Sequence, residues 1–109
     1  MPDECVVVLS TLPADADAAG LASALVEARV AACVNILPPM TSIYRWAAAV
    51  EEASEIQLAI KTTRASVPAL WDKLRALHPY DVPEFVVLPI VDGSAPYLNW
   101  LRDATAAER

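Results

Sequence analysis

Nowhere does this 109-residue chain gather lysine or arginine into a patch, and its formal net charge is -6. The electrostatic footprint of a nucleic-acid binder or of a protein held on an anionic membrane is therefore missing. No apolar run approaches the ~20 residues of a membrane span. The start, Met1-Pro2-Asp3-Glu4, is acidic and is followed only by the short apolar run Cys5 to Leu9, so the basic and long apolar regions of a secretory signal are absent. Cysteine is scarce: Cys5 and Cys33 stand far apart in strand-like segments without CxxC spacing, which fits reduced, buried thiols and a cytoplasmic protein. The catalytic vocabulary is thin as well. There is one histidine, and no GxSxG, P-loop or GxGxxG motif. Asp81 and Glu84 lie three apart on a proline-rigid loop, a poor spacing for paired acid and base work. The expectation is a binding protein and not an enzyme, with no required cofactor.

What the chain has in excess is apolar residues, 56%, against about 45–50% in ordinary soluble domains. Its mean hydropathy is +0.37. The length corresponds to a single domain, 1–109, able to bury roughly two thirds of its unfolded surface. Part of the apolar surplus is alanine in helix-like segments, and the rest hints at subunit contacts.

Cys5 to Leu12 reads as a β-branched strand, and Pro13-Ala14-Asp15 offers a turn whose aspartate opens a helix. Ala18, Leu21, Ala22, Leu25 and Val26 then recur at helical spacing as far as Arg29. Ala31 to Trp46 is a long strand bent or bulged at Pro38-Pro39, and proline confines that stretch to a sheet edge. Val50 to Thr63 alternates strictly, Ile56, Leu58 and Ile60 against Gln57, Ala59 and Lys61, as a strand buried on one side requires. Ala47-Ala48-Ala49 before it holds no Gly, Asn or Asp to take positive φ, so no tight hairpin is expected there.

Ser66 is placed to cap a second helix with Pro68 in its first turn and Val67, Leu70, Trp71, Leu74 and Leu77 on its apolar stripe, ended by Pro79. Glu84 to Val91 is a nearly continuous apolar strand, suited to cover on both faces or to a subunit contact. Asp92-Gly93 turns the chain into a last helix capped by Ser94 and carrying Tyr97, Leu98, Trp100 and Leu101. The order β-α-β-β-α-β plus a terminal helix predicts an α+β, ferredoxin-like fold. With two helices on one sheet face, the other face needs the third helix or a partner subunit as cover, and a homo-oligomer is expected.

The richest segment for chemistry is His78-Pro79-Tyr80-Asp81-Val82-Pro83-Glu84. Its prolines fix their own φ and push His78 and Val82 into extended backbone, so its side chains are held on a rigid corner. His78 has two readings: a metal ligand, or a helix C-terminal residue complementing the macrodipole or packing beside Leu74. The available donor pool is His78, Cys5, Cys33, Met40 and nearby carboxylates, thin for copper or zinc, which want three or four converging ligands. Cys33 reads as a small buried hydrophobe. Lys61, a lone cation among apolar alternation, requires solvent or a carboxylate partner, for which Glu84 is the candidate. Tyr44, Trp46, Tyr80 and Trp100 suit core or subunit boundaries, and Asp81 suits a solvated turn.

The motifs Val7-Val8-Leu9-Ser10-Thr11, Ala31-Ala32-Cys33-Val34-Asn35-Ile36, Thr41-Ser42-Ile43-Tyr44-Arg45-Trp46, Ile60-Lys61-Thr62, His78 to Glu84 and Tyr97-Leu98-Asn99-Trp100-Leu101 occur in the order found in the CutA divalent-cation tolerance proteins, which the chain resembles from about residue 5 to 102. The resemblance implies a ferredoxin-like fold in a PII-like homotrimer, and a role in tolerance of copper and other divalent cations. It also implies a copper site at positions that here hold Ser10, Leu77 and His78, of which only His78 is a ligand type. The expected binding site is a cleft between subunits lined by Lys61, His78, Tyr80 and Glu84, with Cys33 and Trp46 nearby and Cu2+ or another divalent cation as candidate ligand. The alternative is a PII-like signalling scaffold that binds a small anionic metabolite, favoured by Lys61.

Overall fold

A computed structural model describes residues 3–106. The β-branched run that begins the chain becomes β1 (Cys5–Pro13), the hub of the sheet. It pairs antiparallel with β4 (Ala49–Thr63), from Cys5 opposite Thr63 to Pro13 opposite Glu55, and on its other edge with the short β5 (Val86–Pro89). β2 (Cys33–Ile36) and β3 (Met40–Trp46) share the remaining edge of β4, β2 opposite Leu58 to Lys61 and β3 opposite Ala49 to Glu55. The expected bend is thus a break: the Leu37 N–H makes a last bond to the Gln57 carbonyl, and Pro38 and Pro39, which lack N–H groups, interrupt the ladder. The strand order β2-β4-β1-β5, with β3 extending β2, is the ferredoxin-like arrangement predicted.

Period-2 alternation decides which side of the sheet is dry. Val6, Val8 and Leu12 of β1 and Ile56, Leu58 and Ile60 of β4 point to one face and pack against Ala18, Leu21 and Leu25 of α1 (Ala18–Glu27) and Leu70 and Leu74 of α2 (Val67–Leu77). Each large side chain sealed there contributes about 1.5–3 kcal/mol. Thr62 belongs to the same face and is satisfied by donating its hydroxyl to the Val30 carbonyl at 2.8 Å. On the opposite face α3 (Ala95–Thr105) covers one end, where Leu101 joins Cys5 and Ala32. Among the described residues no other helix packs on that second face.

Several local expectations are corrected. α1 is capped by Asp17, whose carboxylate accepts from the Gly20 N–H at 3.0 Å, and not by Asp15, because a turn closed by the Ala16 N–H on the Pro13 carbonyl absorbs Asp15. The helix stops at Glu27: bonds from Arg29 N–H to Val26 and from Val30 N–H to Leu25 form a Schellman ending, with Arg29 at φ 61 in the place usually given to glycine. Ser66 does not cap α2 with its side chain. Its hydroxyl lies 3.2 Å from that of Thr63, across a 3-10 turn that leads into the helix. β5 is half the length expected, and within one chain Val86 and Leu88 stay exposed, which leaves the subunit-contact reading of this strand and not cover on both faces by its own chain.

The largest departure is the β3–β4 connection. Trp46 pairs directly with Ala49, so Ala47 and Ala48 form a two-residue turn with φ of 49 and 68, the geometry of a type I′ hairpin. Alanine is a costly residue in that region, by roughly 1–2 kcal/mol each. A ladder of seven residue pairs behind the turn imposes it, because any longer loop would shift the register.

Candidate functional site

The corner after α2 is positioned by its prolines and then locked by hydrogen bonds. Pro79 keeps His78 extended, at φ -83 and ψ 137, and its ring reaches β1. His78 Nε2 lies 2.6 Å from the Thr11 carbonyl oxygen, and Nδ1 lies 3.0 Å from the Tyr80 backbone nitrogen. The Tyr80 N–H can only donate, so Nδ1 is the unprotonated nitrogen and Nε2–H is the donor to Thr11. The ring is buried, and both nitrogens are engaged. His78 therefore ties the corner to β1, and neither nitrogen has a lone pair free for a metal in this arrangement, against the ligand role expected for it.

Two more bonds hold the corner over the second sheet face. Tyr80 OH donates to Glu55 Oε2 at 2.9 Å, and burial first, then this bond and the Glu55 charge, push the phenol up to about 12. Gln57 Nε2 donates to Glu84 Oε2 at 3.0 Å and to the Ser10 carbonyl at 3.1 Å. Between the fixed corner and the β3–β4 hairpin lies a cavity of about 670 Å³. Its floor is Thr11, Glu55 and Gln57, one wall is Tyr44 and Trp46 with Met40, and the other wall is Tyr80, Asp81 and Glu84. Among the described residues three carboxylates line it and no lysine, arginine or histidine does.

The structure brings Tyr80, Glu84 and Trp46 to one cavity within a single chain and sets His78 behind its wall. Lys61 and Cys33 are elsewhere. They face each other across the β2–β4 pairing, and Lys61 Nζ donates to Asn35 Oδ1 at 2.6 Å, so the expected Lys61–Glu84 pair is not formed. Lys61 stands four residues along β4 from Gln57, about 13 Å at strand rise, while Glu84 bonds Gln57 itself. Ser10 points into the core with its Oγ lacking a partner, and Leu77 is half exposed at the end of α2. Among the described residues no set of three or more His, Cys, Asp or Glu side chains is placed to hold a metal ion.

Glu55, Gln57 and Thr11 escaped the sequence reading as site residues. Their signal is parity: Glu55 and Gln57 alternate with Ile56 and Leu58 and must face away from the core. What the sequence does not carry is the register that sets Met40, Tyr44 and Trp46 on the same face as Glu55.

A model of the CutA1 divalent ion tolerance protein family matches residues 6–104. The divalent-cation tolerance protein CutA of Thermus thermophilus is 54% identical over 99 residues, which are 91% of this chain and 96% of that protein. The human protein CutA is 45% identical over 105 residues, 96% of this chain but only 59% of the human one. Among solved structures, the divalent cation tolerance protein Cut A1 of T. thermophilus superposes with a TM-score of 0.90 at 52% identity, covering 94% of this chain and 99% of that one.

Proposed function

The chain belongs to the CutA1 divalent ion tolerance protein family, and from that premise we propose that it acts in divalent-cation tolerance by binding and not by catalysis, as a cytoplasmic homotrimer. The observation that carries this reading is the cavity: Glu55, Asp81 and Glu84 line it without an opposing basic side chain, so its potential favours cations. The PII-like reading with an anionic metabolite loses its main support, because Lys61 lies off the cavity and is tied to Asn35. A divalent ion entering the cavity keeps water in its coordination sphere or takes further donors from a neighbouring subunit, since one chain does not supply a closed set. The homotrimer is favoured by apolar surface that the chain leaves open, Val86 and Leu88 on β5 and Ile43 and Val50 on the hairpin. Two free cysteines, Cys5 buried and Cys33 partly so, suit a reducing compartment.

Sedimentation equilibrium together with calorimetric titration of Cu2+ and Mg2+ tests the proposal. The expected result is a mass three times the chain's and a saturable heat for at least one ion, with affinity reduced about tenfold in Glu84→Gln. A folded monomer at micromolar concentration sinks the assembly, and flat titrations with both ions sink the cation site.

A further inference from the structure

We propose that the occupant best suited to this cavity is a small organic cation of the alkylammonium class, held by Tyr44, Trp46 and Tyr80 and balanced by Glu55, Asp81 and Glu84. This rests on the reading of the cavity as a cation site and goes beyond it in naming the kind of cation.

Size leaves room for an occupant larger than a bare ion. About 670 Å³ falls in the range of small-molecule pockets, whereas a hard divalent cation wants six or more oxygens drawn in to roughly 2.0–2.6 Å. The carboxylates here are spread over a strand and a loop, and two of them already accept hydrogen bonds, Glu55 from Tyr80 and Glu84 from Gln57. They supply a diffuse negative field and not a coordination shell. A weakly hydrated cation with a methylated or alkyl surface matches such a field, because it loses little solvation on entering.

The aromatic residues supply the second half of the match. Tyr44 and Trp46 are two apart on β3, hence on one face of the hairpin, and Tyr80 lies across from them on the corner. Trp46 is 59% exposed and Tyr44 43%, so their rings are not consumed by core packing. Indole is the strongest of the aromatic partners for a cation, and partial desolvation inside a cavity raises the attraction. Tyr80 is preorganised at both ends, its N–H on His78 and its OH on Glu55, so little rotamer freedom remains to be lost when a ligand arrives. Met40 adds a polarizable apolar contact beside the same wall.

The test titrates the full chain with tetramethylammonium, with its uncharged analogue tert-butanol, and with Mg2+ and Cu2+, each followed by calorimetry. Circular dichroism checks the fold of every variant. The expected result is saturable binding of tetramethylammonium, at least tenfold weaker binding of tert-butanol, and a threefold to tenfold loss of tetramethylammonium affinity in Trp46→Leu with metal-ion binding unchanged. Glu84→Gln is expected to weaken both kinds of cation. Binding of metal ions without tetramethylammonium overturns the inference and leaves the cation site standing. No binding of any cation overturns both. Equal binding of tetramethylammonium and tert-butanol reduces the site to apolar contact and overturns the inference. Shielding of Trp46 from acrylamide on oligomerisation, with no tetramethylammonium binding, means that a second copy of the chain fills the cavity, which also overturns it.

Discussion

The two halves of β4 belong to one uninterrupted fifteen-residue strand and live in different surroundings. From Ile56 to Thr63 it lies between β1 and β2, and Ile56, Leu58, Ile60 and Thr62 are sealed beneath α1 and α2. From Ala49 to Ser54 its strand partner among the described residues is β3, and Val50 is 65% exposed. Backbone pairing is equally regular in both halves. The hydrogen-bonded ladder thus sets where the strand goes, and the layer stacked on it sets where the stability lies. A two-stranded ribbon is marginal by itself in water. The hairpin arm accordingly borrows its order from the core half of β4 and from what covers it, and it is the part of the molecule free to serve a ligand or a partner.

The comparison breaks most sharply by truncating one side chain in each half. Leu58→Ala, at a fully buried position, is expected to cost about 2–5 kcal/mol in urea unfolding. Val50→Ala is expected to cost less than about 0.5 kcal/mol at concentrations where the chain is monomeric. Under the proposed trimer the Val50 penalty is expected to grow with protein concentration as a second copy covers the arm, and a penalty that stays small at every concentration would leave the arm uncovered. An effect of opposite sign, smaller than that of Leu58→Ala, is expected at the tip. Ala48→Gly relieves the positive φ of 68 but adds freedom to the unfolded chain, for a net gain of about 0.5–1 kcal/mol. An unchanged or lowered melting temperature would mean that the arm holds its tip without strain.

The smallest effect concerns the joint between the halves, where Tyr80 reaches Glu55. The phenol's folded value, about 12, lies above its ordinary 10.0, so the neutral form is favoured by the fold. That contribution is complete below about pH 10 and is lost as pH rises through about 12. Relative to Tyr80→Phe, the wild-type chain is expected to lose stability over this window, modestly because solvent screens a joint near the surface. Parallel pH profiles for the two proteins would remove the Tyr80–Glu55 bond as a contributor.

The core half of β4 was legible because it repeats with period 2, and the helices because Leu21, Leu25, Leu70 and Leu74 recur at helical spacing. The tip was misread for a physical reason. Turn propensity at Ala47 and Ala48 is a local preference of a kcal/mol or two, and seven cross-strand pairs outweigh it. The site was half legible. Tyr80, Glu84 and Trp46 do meet at one cavity, and the proline corner that presents Tyr80 and Glu84 could be read directly from Pro79 and Pro83. Lys61 was misassigned to Glu84 because a lysine on a strand announces that it needs a partner but not which one. Asn35, brought alongside by the β2 register, supplies it.

From the sequence alone follow the element order, the face of each element that must be dry, the rigidity of the corner from His78 to Glu84 and the acidic balance that disfavours anionic partners. These are properties of residue chemistry and of short-range periodicity, which the chain carries wherever it goes. Tertiary structure alone decides that Glu55 lies under Tyr80, that Gln57 bridges Glu84 to β1, and that both nitrogens of His78 are used up inside the fold. Those contacts join residues from 25 to 67 positions apart, Tyr80 N–H to His78 excepted. Their geometry depends on strand register, a collective property of the sheet that no local stretch of sequence encodes.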